Sequence, residues 1–150
     1  MERPDTMPPV TLWLGLAGLI PFVVLAGALV LGLTLPVFGG PGAIRQALVL
    51  YALAILSFLG GIRWGTAMNY ADQPIALRDF VLSVVPALVG WAAVLFAPGA
   101  ALWLLTGAFV VLGLYDYGLA CRTVAPEWYG RLRLGLSAAV SATLAVAALA

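Results

Sequence analysis

Three absences frame this chain of 150 residues: it has no histidine, no lysine and a single cysteine, Cys121. Without histidine, no imidazole base can activate a serine or cysteine nucleophile, and haem ligation by histidine is excluded. A lone cysteine forms no internal disulfide, and a cysteine–histidine metal site cannot be assembled from one such chain. Charge is scarce as well. Charged residues make up 9% of the sequence, the carboxylates being Glu2, Asp5, Asp72, Asp79, Asp116 and Glu127, and the formal net charge is +1. That near balance gives no basis for nucleic-acid binding, and the missing lysine removes a phosphate-binding P-loop. No catalytic residue, cofactor or metal is expected, and the chain does not read as an enzyme.

What it has in abundance is apolar side chains. Hydrophobic residues form 64% of the chain, against roughly 45–50% in soluble domains. A helix needs roughly 20 such residues to cross the hydrocarbon core, and five runs approach that length, at about 10–35, 43–67, 80–97, 101–120 and 132–149. The expected fold is all-α, a single polytopic bundle of five transmembrane helices over residues 1–150.

The first run holds a small-residue stretch, Ala26, Gly27 and Ala28, that mimics a signal-peptide cleavage site. The leader carries Glu2 and Asp5 against Arg3, and the apolar run continues past the stretch, so the segment reads as a retained anchor. Pro21 and Pro86 interrupt the first and third spans and should kink them. Asp79 is placed to cap the third span at Phe80, and the short Pro98–Gly99 turn makes spans three and four an antiparallel hairpin.

Five spans put the amino terminus and the loops after spans two and four on one side. Arg3, Arg63, Arg78, Arg122, Arg131 and Arg133 lie there, against Arg45 alone on the other. The positive-inside rule then predicts a cytoplasmic amino terminus and an external carboxyl terminus. Trp13, Trp64, Tyr70, Tyr115, Tyr117, Trp128 and Tyr129 fall near the same boundary, as an interfacial aromatic belt does.

Candidate functional residues follow from the polar groups left inside the spans. Arg63 and Asp116 sit at similar depth on spans that run in the same direction, so an ion pair between them is possible. Such a pair would gate a path or bind an anion, or would only fix packing and topology; nearness to the interface favours packing. A proton relay would need ionisable groups through the midplane, and none is present. Ser57, Gly61 and Gly65, spaced four apart, form a small-residue face that lets a helix approach closely, within this chain or from another. Ser137, Ser141 and Ala145 repeat that spacing. The segment PEWYGRLR, Pro126 to Arg133, reads as an interfacial anchor, or as a partner or anionic-lipid contact, through Glu127, Trp128, Tyr129, Arg131 and Arg133, with Trp64 at the same level. Cys121, near this boundary, is open to lipidation or is a plain boundary residue.

Taken together, LGLAGLIPF (14–22), LSFLGGIRWG (56–65), SVVPAL (83–88), YDYGLA (115–120) and PEWYGRLR (126–133) resemble domain-of-unknown-function family 3429. That family comprises small bacterial membrane proteins and includes the relatives of animal transmembrane protein 69. The resemblance implies the five-span architecture and a setting in an energy-coupling membrane, with Arg63, Trp64, Asp116, Glu127 and Trp128 the positions to test first, and it implies no catalytic role. The expected function is therefore that of a non-enzymatic accessory or assembly subunit of a bacterial inner membrane. Its expected partners are the lipid bilayer and either other membrane subunits or further copies of itself. The alternative is a small homo-oligomeric transporter or channel that uses the Arg63/Asp116 layer.

Overall fold

The computed structural model describes residues 6–70, 73–121 and 126–150, the side chains of 119–121 excepted. Arg3, Asp72, Arg122 and the Cys121 side chain, all named above, lie outside the described set. Among the described residues there are five α-helices: α1 (Pro9–Val30), α2 (Pro41–Ala67), α3 (Gln73–Ala93), α4 (Pro98–Cys121) and α5 (Glu127–Leu149). Each is long and apolar enough to cross a membrane. They alternate up and down and close a ring, with α1 against α2 and α5, α3 against α2 and α4, and α4 against α5; α2 and α4 also touch across the ring.

Helix starts follow simple backbone chemistry. Proline at the first helical position costs no hydrogen bond, and α1 and α2 begin with Pro9 and Pro41. The α1–α2 connection turns on Gly32 (φ 63°) and Gly39 (φ 87°), left-handed conformations that a side chain would strain. Gly39 both donates to the Leu35 carbonyl, at 2.6 Å, and accepts from the Leu35 amide, at 3.0 Å.

Several helix boundaries differ from expectation. α1 ends at Val30 and not near Leu35, and α3 ends at Ala93 and not near Ala97. Pro98 and Gly99, expected as the turn between spans three and four, open α4 instead, since proline suits a first helical position. Asp79 does not cap α3, because the helix starts at Gln73 and carries Asp79 one and a half turns inside, where it is 3% exposed. Pro74 suits the first turn, and Ile75, Ala76 and Leu77 continue the apolar run, so nothing in the segment stops the helix from starting early. Likewise α5 begins at Glu127, not near Leu132, and takes most of PEWYGRLR into the helix. Of the loop expected over Cys121 to Arg131, Cys121 and Glu127–Arg131 are helical.

The core is apolar and continuous, centred on Phe22, Ile44, Leu48, Leu56, Leu102, Leu105, Phe109 and Leu144. Phe22 meets Tyr51 and Phe109 edge to face at 4.9 and 6.0 Å. Pro21 weakens the α1 ladder at this level, and the Tyr51 hydroxyl donates to the Gly18 carbonyl at 3.0 Å in the affected turn. Small residues bring the remaining helices together. A Cβ on Gly60 would collide with the Ser83 carbonyl oxygen in the Pro86-containing helix, and one on Gly113 would stand 2.5 Å from Ser137 Cβ. Backbone approach of this kind is how helices gain contact where lipid is as apolar as leucine.

The expected packing face at Ser57, Gly61 and Gly65 is one residue out of register with the one used inside the bundle. Gly60 takes the α3 contact, whereas Gly61 and Gly65 have open space where a Cβ would be, and Ser57 Oγ donates to its own Leu53 carbonyl at 2.9 Å. A one-residue step turns a helix face by about 100°, so two adjacent glycines serve different sides. The second stripe does meet a neighbour: Ser137 lies against Gly113, and Ser141 Oγ donates to the Thr106 carbonyl at 3.4 Å.

Candidate functional site: a three-helix ionic cluster

The described charged side chains gather at one end of the bundle, where α2 and α4 finish and α3 and α5 begin; among them only Arg45 lies toward the other. Arg63 stands four residues before the end of α2, Asp116 five before the end of α4, and Arg133 six after the start of α5. At 1.5 Å of rise per residue these depths are about 6, 7.5 and 9 Å, so the three reach one level from three helices.

Arg63 Nη2 donates to Asp116 Oδ1 at 2.6 Å, and Arg133 Nε donates to Asp116 Oδ2 at 3.0 Å. All three side chains are less than one-tenth exposed. The carboxylate thus spends one oxygen on each guanidinium and ties α2, α4 and α5 together. Arg63 also lies over the Tyr115 ring, its guanidinium carbon 3.9 Å from the centroid, within the range of a cation–π contact. Not every donor is used. Arg63 Nε, Arg133 Nη2 and Ser137 Oγ are buried with no hydrogen-bond partner among the described residues. Two guanidinium charges against one carboxylate leave one positive charge in excess. Burying such an excess is costly unless something balances it.

A smaller polar group sits beside this cluster. Arg78 Nε donates to Asp79 Oδ1 at 2.9 Å, with Arg78 half-exposed and Asp79 buried. Burial, then the adjacent Asp79 carboxylate, push the Tyr70 phenol above its ordinary value of 10.0.

Two apolar grooves flank the cluster on opposite sides. One, about 500 Å³, runs between α1, α2 and α5 with Phe109 of α4 at its floor; its polar lining includes Arg133 and Ser137. The other, about 480 Å³, lies between α2, α3 and α4 and is bordered by Arg63 and Tyr115. Each is therefore a hydrocarbon-lined cleft with an arginine at one end.

The remaining candidates fall elsewhere. Trp64 is exposed and meets Phe80 edge to face at 5.0 Å. Trp128 and Tyr129 meet at 6.2 Å and border the α1–α5 groove. Glu127 accepts from Arg131 Nη2 at 3.2 Å, and both are largely exposed, an interfacial i,i+4 pair. Arg133 does not share that interfacial position. Two residues along a helix is about 200° of rotation, so Arg131 and Arg133 face opposite ways, one out and one into the bundle. Arg133 is the member of the ionic cluster that the sequence reading placed among the surface contacts. The signal for it was the i,i+4 series Tyr129, Arg133, Ser137, Ser141, which lines up on one helix face.

A polytopic bundle of five membrane-spanning helices, closed at one end by a buried ionic cluster, is thus the class of protein defined here. The family model for "Protein of unknown function (DUF3429)" matches residues 7–149, and the chain belongs to that family. It is 38% identical over 131 residues to "Transmembrane protein 69" of Xenopus tropicalis, covering 84% of this chain and 48% of that protein. It is 33% identical over 139 residues to the protein of the same name from Mus musculus, covering 85% and 50%. The chain spans about half the length of these curated relatives. No solved structure matches it.

Proposed function

We propose that this protein is a non-catalytic accessory or assembly subunit of a bacterial inner membrane, a helical scaffold that packs against other membrane proteins. The observation that carries the reading is the division of labour on α2. Its Gly60 side is consumed by α3, while the Gly61 and Gly65 ridge beside it is left open, between the exposed Phe58 and Trp64. An open glycine ridge flanked by aromatic side chains suits the close approach of a helix from another chain. The ionic cluster supports the same reading, because Asp116 joins three helices while the core beyond it is apolar. No observation favours the transporter or channel alternative, since a solute path through one chain would need polar groups across that core. The arginine distribution supports a cytoplasmic amino terminus.

The test is gentle extraction from the native membrane followed by native mass spectrometry. A hetero-complex that survives in the wild-type protein and is lost in Gly61→Leu, with the thermal stability of the purified chain not lowered, is the expected result. Recovery of this chain alone under every extraction condition would overturn the reading.

A further inference from the structure

We propose that the groove between α1, α2 and α5 is a binding site for an anionic phospholipid, with the headgroup on Arg133 and Ser137 and an acyl chain along the apolar walls. This goes beyond the accessory role and stands independently of it.

Charge complementarity carries the inference. The Arg63–Asp116–Arg133 cluster holds one more positive charge than negative, and the other buried carboxylate among the described residues, Asp79, is already held by Arg78. Arg133 Nε is spent on Asp116, but among the described residues its Nη2 has no acceptor, and neither does Ser137 Oγ. Arg133 and Ser137 are 7% and 3% exposed, both line the groove, and their i,i+4 spacing on α5 puts them on one face. They are thus a pair of unused donors, one charged and one neutral, buried at the wall of a hydrocarbon-lined cleft, with Ser137 Oγ also close to Gly113 of α4. An anionic oxygen there would satisfy both donors and cancel the excess charge.

The rest of the groove fits a hydrocarbon chain. Its walls include Leu19, Ile55, Phe58, Leu59 and Leu136, and its volume of about 500 Å³ lies within the roughly 300–1,000 Å³ of ligand pockets. It is partly open to the outside of the bundle, where lipid lies. Depth fits as well, because Arg133 is about 9 Å of helix rise from the start of α5, near the level of headgroups. The opposite groove is a weaker candidate: its arginine, Arg63, is already held between the Asp116 carboxylate and the Tyr115 ring face.

The experiment uses the full chain, delipidated in a neutral detergent, with dioleoylphosphatidylglycerol, dioleoylphosphatidylcholine and inorganic phosphate as probes. Native mass spectrometry reads bound lipid, and a melting curve reads protection. The expected result is one phosphatidylglycerol per chain, held about tenfold more tightly than phosphatidylcholine, as one charge-assisted hydrogen bond predicts. Ser137→Ala reduces that preference several-fold with the fold intact, since its hydroxyl carries no bond in the lipid-free protein. Arg133→Gln abolishes the preference, and Arg131→Gln, on the exposed face, leaves it unchanged. Equal binding of the two lipids, equal loss in Ser137→Ala and Arg131→Gln, or equal protection by inorganic phosphate would each overturn the proposal. The last result would assign the site to a free anion. Should Arg133→Gln fail to fold, the Ser137→Ala and Arg131→Gln comparison decides alone.

Discussion

Replacing Asp116 by asparagine keeps the shape of the side chain and removes the charge that joins α2, α4 and α5. The carboxylate accepts one hydrogen bond per oxygen, at 2.6 Å from Arg63 and 3.0 Å from Arg133. An amide can accept only through its oxygen, so its NH₂ must face one guanidinium, donor against donor. Each charge-assisted bond is worth about 1.5–3 kcal/mol, which sets an upper range of about 3–6 kcal/mol for the two. Breaking a buried pair while leaving its partners in place costs about 3–5 kcal/mol. The cluster lies near one end of the bundle, and an unfolded state within detergent or lipid offers the arginines other partners. Both effects lower the figure, and about 3 kcal/mol is expected. The assay is equilibrium unfolding by dodecyl sulfate in mixed micelles, followed by circular dichroism. Glu127→Gln is the internal control, since that exposed pair should contribute under about 0.5 kcal/mol. If Asp116→Asn and Glu127→Gln cost the same within 1 kcal/mol, the cluster is not a tie between helices and the reasoning fails. Adding Arg133→Met to Asp116→Asn should recover part of the loss, because it removes one of the two stranded charges.

Adjacent glycines on α2 separate intramolecular packing from the outer face. Gly60→Ala drives a methyl into the Ser83 carbonyl and should cost about 1–3 kcal/mol in the same unfolding assay, whereas Gly61→Ala meets open space and should gain up to about 1 kcal/mol from helix propensity. Ser137→Ala removes a buried hydroxyl without a partner, so in lipid-free protein it should be neutral or stabilising by about 1 kcal/mol, read as a raised melting temperature. Gly113→Ala meets Ser137 Cβ at 2.5 Å and should lower the melting temperature at every pH. For Tyr70 the folded-state pKa lies above the unfolded value of 10.0. Its contribution is therefore fully present below pH 10 and is lost as pH rises through the folded value. Tyrosinate absorbance compared between wild type and Tyr70→Phe should show this residue ionising later than a free phenol, and titration at the ordinary value would contradict the contact with Asp79.

Five spans were legible because length and hydrophobicity alone carry that information, and the helices of the structure fall where the apolar runs lie. Their ends were less so. The segments Gln73–Asp79 and Glu127–Arg131 hold charged residues, which in a sequence suggest loop, yet both are helical turns that emerge from the apolar layer. A helix does not stop where a membrane does. Its backbone groups bond within the helix in either medium, so polarity marks the interface and capping chemistry marks the end. Asp79 shows how the two separate, being both a polar residue near the boundary and a buried partner of Arg78.

Which side of each helix faces inward is the part that apolar periodicity could not give. In a soluble bundle the buried stripe stands out against polar neighbours, but in a membrane the outer face is as apolar as the inner one. Leu56 in the core and Phe58 on the outside differ in burial and not in chemistry. The polar residues carry the missing information, because a charge or hydroxyl is costly against lipid and turns inward. Asp79, Ser83, Asp116, Arg133, Ser137 and Ser141 are all buried, and they mark the inner faces of α3, α4 and α5 better than any leucine does. The glycines are ambiguous for the opposite reason: lacking a side chain, Gly60 and Gly61 say only that some helix can come close, not from which side. That ambiguity separates the ionic cluster, whose third member follows from the Arg133–Ser137 spacing once polar residues are turned inward, from the open ridge on α2, whose partner must be found by experiment.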